Sequence, residues 1–125
     1  MKRLPELQGL SREHHKALVL AQRIARAKDL VCRDDLMLEV SELFHRELEP
    51  HFIIEETTIL PQLAQAGHHE MVKHTEDDHR CMRELALRIS NGDHAALALF
   101  GEILKEHVRF EERELFPVTE SVLFM

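Results

Sequence analysis

Residues 43–61 read LFHRELEPHFIIEETTILP and residues 99–117 read LFGEILKEHVRFEERELFP, one pattern written twice at a constant offset. Leu43/Leu99, Phe44/Phe100, His51/His107, Glu55/Glu111, Glu56/Glu112 and Pro61/Pro117 coincide. At the centre of each copy a His is followed four residues later by a Glu. On a helix, positions i and i+4 stack one turn apart on the same face. A lone pair of this kind is ordinarily a solvated polar contact. Here the pairs fall on apolar stripes with steps of three and four: Val40, Phe44, Leu48, His51, Glu55 and Ile59 in one copy, Leu97, Phe100, Leu104, His107 and Glu111 in the other. Such a stripe faces a core, where an imidazole or carboxylate is costly unless something satisfies it. Two such pairs make a metal the leading explanation.

The rest of the chain fits a helical fold. Its 125 residues suffice for one domain with one core, and we expect a single domain over 1–125. Tyr and Trp are absent and Gly and Pro number four each, a composition with little turn or strand material. A net charge of −7 with no basic stripe argues against nucleic acid as the main partner. No apolar stretch approaches the ~20 residues of a membrane span, and no signal peptide opens the chain. Cys32 and Cys81 lack CxxC spacing and suggest a reducing compartment, so a cytoplasmic protein is expected.

In chain order, residues 1–10 read as a lead-in, because Pro5 and Gly9 oppose a long helix. Ser11 then caps a first helix, with Glu13 in its first turn where the helix dipole favours negative charge. This helix is expected to reach about Lys28, with Leu10, His14, Ala17, Ala21 and Ile24 on one stripe. Asp34 is expected to cap the second helix, which Pro50 bends and which ends near Leu63. The third runs from about His69 to Ser90, before Asn91-Gly92, on a stripe of Val72, Thr75, His79, Met82, Ala86 and Ile89. Asp93 caps the fourth, which ends near Phe116-Pro117. The tail closes on VLFM, which could pack back as a last turn or serve a homodimer contact.

The first and third helices also repeat: Glu13-His14 lies over Asp78-His79, followed by Leu20/Leu85, Ala21/Ala86, Arg23/Arg88 and Ile24/Ile89. His14 is therefore the expected ligand, with His15 in reserve. Short connections make consecutive helices antiparallel neighbours. The expected fold is all-α, an up-down-up-down four-helix bundle with a pseudo-two-fold internal repeat. It brings His14, His51, Glu55, His79, His107 and Glu111 to one depth. Four imidazoles and two carboxylates exceed one tetrahedral zinc and suggest two metals. Nitrogen and carboxylate donors suit iron or manganese, with zinc and copper able to compete. A bridging hydroxide or oxide would lower the remaining charge. Shared carboxylates leave open positions where dioxygen, peroxide or nitric oxide would bind.

These residues resemble a hemerythrin-like domain of the HHE cation-binding type: Glu13-His14, His51 and Glu55 in HFIIEETTILP, Asp78-His79, and His107 and Glu111 in HVRFEERELFP. The resemblance covers nearly the whole chain. It implies a four-helix bundle with a carboxylate-bridged, non-haem di-iron site. Two departures stand out. Oxygen-carrying hemerythrins have a His-x-x-x-His pair on the third helix, whereas Thr75 and Arg83 stand four residues from His79. Their last carboxylate is an Asp five residues past its His, whereas Glu111 is four past His107. One histidine short, the site is expected to leave a metal more exposed beside Thr75. That favours sensing or peroxide chemistry over reversible oxygen carriage.

Three functions compete. The first is a di-iron module that binds or senses O2, NO or iron. The second is an enzyme reducing oxygen or peroxide, and the third is a metal-free or zinc-stabilised bundle. Six polar groups in one core layer weigh against the third. The lack of Tyr and Trp removes the usual radical relay and tilts the balance to binding, so no residue is assigned a catalytic role. Glu56 and Glu112 read as surface groups or as acceptors for a ligand's second nitrogen. His74 is a reserve fifth ligand, and Glu76-x-x-His79 has a ferritin-like spacing unmatched on the first helix. His45, His68, His69 and His94 read as solvent groups, and Cys81 and Met82 as core or near-core residues.

Overall fold

The computed structural model describes residues 5–27 and 29–123, and among these every regular element is helical. Four long helical stretches are present, as in a helical bundle. The first is α1 (Pro5–Arg26). The second comprises α2 (Leu30–Leu43), a π turn (Phe44–Leu48), α3 (Glu49–Ile54), a second π turn (Glu55–Ile59) and α4 (Leu60–Gln65). The third is α5 (His69–Ser90), and the fourth comprises α6 (His94–Phe110), a π turn (Glu111–Leu115) and α7 (Phe116–Leu123). No helix is long and apolar enough to cross a membrane among the described residues.

Several boundaries differ from those read in the sequence. The first helix does not wait for Ser11: it is already formed at Pro5 and runs through Gly9. Leu7 and Leu10, 1% and 4% exposed, extend its buried stripe toward the N-terminus. Their burial outweighs the helix penalty of one glycine, about 1 kcal/mol, and proline is tolerated where a first-turn N–H has no partner. The Ser11 hydroxyl, mid-helix, has no hydrogen-bond partner. The second stretch is capped by Asp29, whose carboxylate accepts from Cys32 N at 2.8 Å, rather than by Asp34. Asp34 sits inside α2, 3.1 Å from His94 Nε2. Asp93 caps α6 by accepting from Ala95 N at 3.0 Å, as its position suggested. The fourth stretch does not stop at Pro117 but continues to Leu123. Residues 1–4 of the lead-in expected over 1–10, Lys28, where the first helix is expected to end, and the last two tail residues lie outside the described residues. Gly67 and Gly92 adopt φ +92 and +89 in the second and third connections, where other residues would be strained.

α1 and α5 both pack on α6, and α2 and α4 pack on α5. The interior has three layers. A large apolar cluster contains Ala17, Leu20, Phe44, Leu48, Phe52, Met82, Leu97, Phe100 and Leu104. A smaller one gathers Leu7, Leu10, Ile59, Leu60, Leu63, Leu115 and Phe116. Along each stretch the polar core residues fall between these sets: His14 between Leu10 and Ala17, Glu55 between Phe52 and Ile59, and Glu111 between Leu104 and Leu115. A layer of ionisable side chains therefore separates two apolar layers.

Candidate metal centre

His14, His51, Glu55, His79, His107 and Glu111 are all buried, at 4, 3, 0, 0, 2 and 0% exposure, and the structure brings all six together. They form two groups of four. His14 and His51 share one with Glu55 and Glu111, and His79 and His107 share the other with the same two glutamates. Within each group the donor atoms lie within 4.8 Å of one another. His14 Nε2 is 2.7 Å from Glu111 Oε1, and His79 Nε2 is 2.9 Å from Glu55 Oε1. His51 Nε2 is 3.2 Å from Glu55 Oε2, and His107 Nε2 is 3.2 Å from Glu111 Oε2. These last two are close ion pairs along one helix, yet Glu55 Oε2, Glu111 Oε2 and His107 Nε2 make no hydrogen bond. Buried polar atoms left without partners are rare and costly. Three in one cluster, all of metal-ligating type, fit a site able to hold a metal.

Each of these four histidines turns Nε2 inward and Nδ1 outward, and each Nδ1 meets a carboxylate from another helix. His14 Nδ1 pairs with Glu112 at 3.0 Å and His51 Nδ1 with Glu13 at 3.3 Å. His79 Nδ1 pairs with Glu56 at 2.7 Å and His107 Nδ1 with Asp78 at 2.8 Å. An acceptor on Nδ1 holds the proton there and leaves the Nε2 lone pair free to bind a metal. The sequence places Glu13 where the helix dipole favours an acid and Asp78 in the repeat; both serve a histidine on a neighbouring stretch. The available signal was an acid directly beside each core ligand.

Electrostatics follow from this packing. Burial disfavours charge on His51, but the carboxylates of Glu111 and Glu55 outweigh it and raise its pKa to about 11. For His107 burial is likewise overcome, by the charge of Glu111 and by the hydrogen bond to Asp78, giving about 10. His14 is raised too, burial being offset by hydrogen bonds to Glu111 and Glu112. Burial and the neighbouring charge of Glu111 push Glu55 up. Burial would raise Glu111 as well, but the charge of His107, with the hydrogen bond from His14, draws it well below the usual carboxylate range. Without a metal, then, protons supply the positive charge in this layer.

The remaining candidates fall outside the cluster. His15, His45 and His69 are exposed, and His68 and His94 are half-buried. His74 stacks on Phe110 at 3.9 Å, with Nε2 3.2 Å from Asp78, and so is one step removed from His107. A surface cavity of 320 Å³ borders His74, Asp78, His107 and Phe110. Glu76 is exposed, Cys81 half-buried and Met82 buried, and both cysteines are free. The openness expected beside Thr75 is not found. Thr75 is fully buried and gives its hydroxyl to Met71 O at 2.9 Å, and His79 is fully buried against Phe52, their rings stacked at 4.1 Å.

The family model for the Hemerythrin HHE cation binding domain matches residues 7–119. The chain belongs to this hemerythrin family. No curated protein and no solved structure matches it. A hemerythrin HHE domain is a cation-binding domain by description, and the two buried His/Glu groups are able to hold a metal in this one.

Proposed function

We propose that the chain holds two metal ions, principally iron, bridged by Glu55 and Glu111, and that it binds or senses O2, NO or iron there. The observation that carries this reading is the pair of four-donor groups with both carboxylates in common. One zinc would use one group and leave the other histidines without a partner; two ions use all six side chains. The proposed frame is the antiparallel up-down-up-down bundle with a pseudo-two-fold, in keeping with short connections and with the matching places of Glu55 and Glu111 at the head of π turns.

Bound iron would supply a redox-active centre with coordination positions for a small diatomic ligand. The protein's part is to orient and to exclude water. Each Nδ1–H is donated outward, so each Nε2 is presented inward. Glu55 and Glu111 carry the negative charge that two cations need. Beside His14, His51, His107 and Glu111 lies a cavity of about 10 Å³, walled otherwise by groups such as Leu48, Phe52, Leu104 and Val108. That is room for about one water-sized molecule, which favours a diatomic over an organic substrate.

Elemental analysis of protein purified without chelator, with optical spectra of the iron(II)-loaded form before and after aeration, tests this reading. Two irons per chain and an absorption change on exposure to O2 or NO are expected. One zinc per chain would overturn it.

A further inference from the structure

Arg83 lies one helical turn beyond His79 on α5, and its guanidinium is engaged from two directions. Nη1 and Nη2 donate to Glu56 Oε2 and Oε1 at 2.8 and 2.9 Å. Nε and Nη2 donate to Glu49 Oε1 at 2.9 and 2.6 Å, and Nε also reaches Glu49 Oε2 at 3.0 Å. Glu56 in turn accepts from His79 Nδ1 at 2.7 Å. The guanidinium carbon stands 5.7 Å from the centre of the Phe52 ring, the ring stacked on His79. One side chain therefore fixes both the carboxylate to which His79 donates and a ring against which it packs. A two-pronged guanidinium–carboxylate contact fixes orientation as well as charge. It is also sheltered, since Arg83, Glu49 and Glu56 side chains are 33, 28 and 26% exposed. The acid on His107, Asp78, is met differently, by the imidazole of His74.

We propose that Arg83 is a positioning residue for the metal centre. Through Glu56 it holds His79 so that Nε2 faces Glu55 and the second metal position, which makes that position dependent on a guanidinium. The inference rests on the two-metal reading above. Outer partners of metal-binding histidines typically change affinity by about 10- to 100-fold when removed, so a position-specific loss is expected rather than a general one.

The test is anaerobic titration with Co2+, following its visible absorption, of wild type, R83Q, R83K and R80Q, with circular dichroism of each protein before metal is added. Arg80 is an exposed neighbour paired with Asp77 and serves as the control. Wild type and R80Q are expected to bind two ions tightly. R83Q keeps one ion and weakens the other by about 10- to 100-fold. R83K, which restores the charge but not the fork, recovers part of that loss. Wild-type affinity for both ions in R83Q, even with a lower melting temperature, would overturn the inference, as would equal weakening of both ions in a folded R83Q. If R83Q loses its helicity, R83K decides: two ions held as tightly as in wild type would overturn the role of the fork. Failure of the wild type itself to take two ions would instead refute the two-metal reading.

Discussion

Metal binding by this chain is expected to expel protons, at least two per chain at pH 7. His51 and His107 have pKa values of about 11 and about 10 without metal, so both are imidazolium at pH 7. Their Nδ1–H bonds to Glu13 and Asp78 can persist on coordination, but the Nε2 proton must leave. Removing a proton at pH 7 from a group of pKa about 10 costs about 4 kcal/mol, and from one of about 11 about 5 kcal/mol. Two imidazoliums therefore oppose binding by roughly 10 kcal/mol. Apparent affinities of metals for buried protein sites, about 10–16 kcal/mol for structural zinc, are large enough to overcome this only in part of the pH range. At least two protons should be released per chain at pH 7, and more as His14, also raised, contributes. Affinity for the full set should then climb by at least about 100-fold per pH unit until these groups deprotonate on their own. Free histidine, at about 6.5, would give no such slope at neutral pH. Calorimetric titration with Zn2+ or Co2+ in buffers of different ionisation enthalpy counts the protons. Release of fewer than one proton per chain at pH 7 would refute the claim that protons supply the charge of the metal-free layer.

Four further outcomes are expected. His51→Ala and His107→Ala should each remove most metal while the far-ultraviolet spectrum stays helical, whereas His45→Ala and His69→Ala should leave metal content unchanged. Stability of the metal-free protein should fall as pH rises from 7 to 10. The raised pKa values of His51 and His107 give a contribution fully present below about 6.5 and lost toward about 10 and 11, so melting temperatures against pH, with and without metal, should diverge. Gly101→Ala should destabilise by about 1–3 kcal/mol in urea unfolding, because its Cβ would stand 2.9 Å from Ile24 Cγ2. Gly9→Ala, by contrast, should stabilise by about 0.5–1 kcal/mol, since its nearest neighbour would be Arg12 Nη2 at 3.8 Å within a helix.

The parts of the fold that depend on one helix at a time were readable in the sequence. The stripes through Phe44, His51 and Glu55, and through Phe100, His107 and Glu111, report burial directly because a helix repeats every 3.6 residues. Starts were less readable, because capping residues are plentiful: Asp29, Asp34 and Ser11 are all good caps, and tertiary burial of Leu7 and Leu10 decides where α1 begins. The ring of outer acids was also hidden. Glu13 serves His51 and Asp78 serves His107 across a helix interface, and periodicity within one helix carries no information on which neighbour an off-stripe side chain will meet. Arg83 was legible only as one of the two residues four away from His79. Its grip on Glu49 and Glu56 belongs to the packing of α5 on the second stretch.

Three of the four prolines carry the deepest difference between sequence and structure. The second helix is expected to run on through Pro50 and does so, but the fourth, expected to end at Pro117, goes on there, as the second does at Pro61. A five-residue π turn comes first, then one residue, then the proline: Phe44–Leu48 before Pro50, Glu55–Ile59 before Pro61, Glu111–Leu115 before Pro117. Glu49, Leu60 and Phe116 donate their N–H five residues back, to Phe44, Glu55 and Glu111. The wider turn accommodates a ring that would otherwise press on the carbonyl four residues before it and that has no N–H to offer. It also adds a residue, advancing everything beyond by about 100°. That advance seats Leu60 and Leu63, and likewise Phe116 and Thr119, in the interior beyond the polar layer, where an unbroken 3.6-residue stripe would have carried other residues inward. Two of the three π turns begin at the shared glutamates. The backbone irregularity that proline imposes therefore falls where the ligands sit, and the sequence marks it at Pro61 and Pro117, six residues past each glutamate.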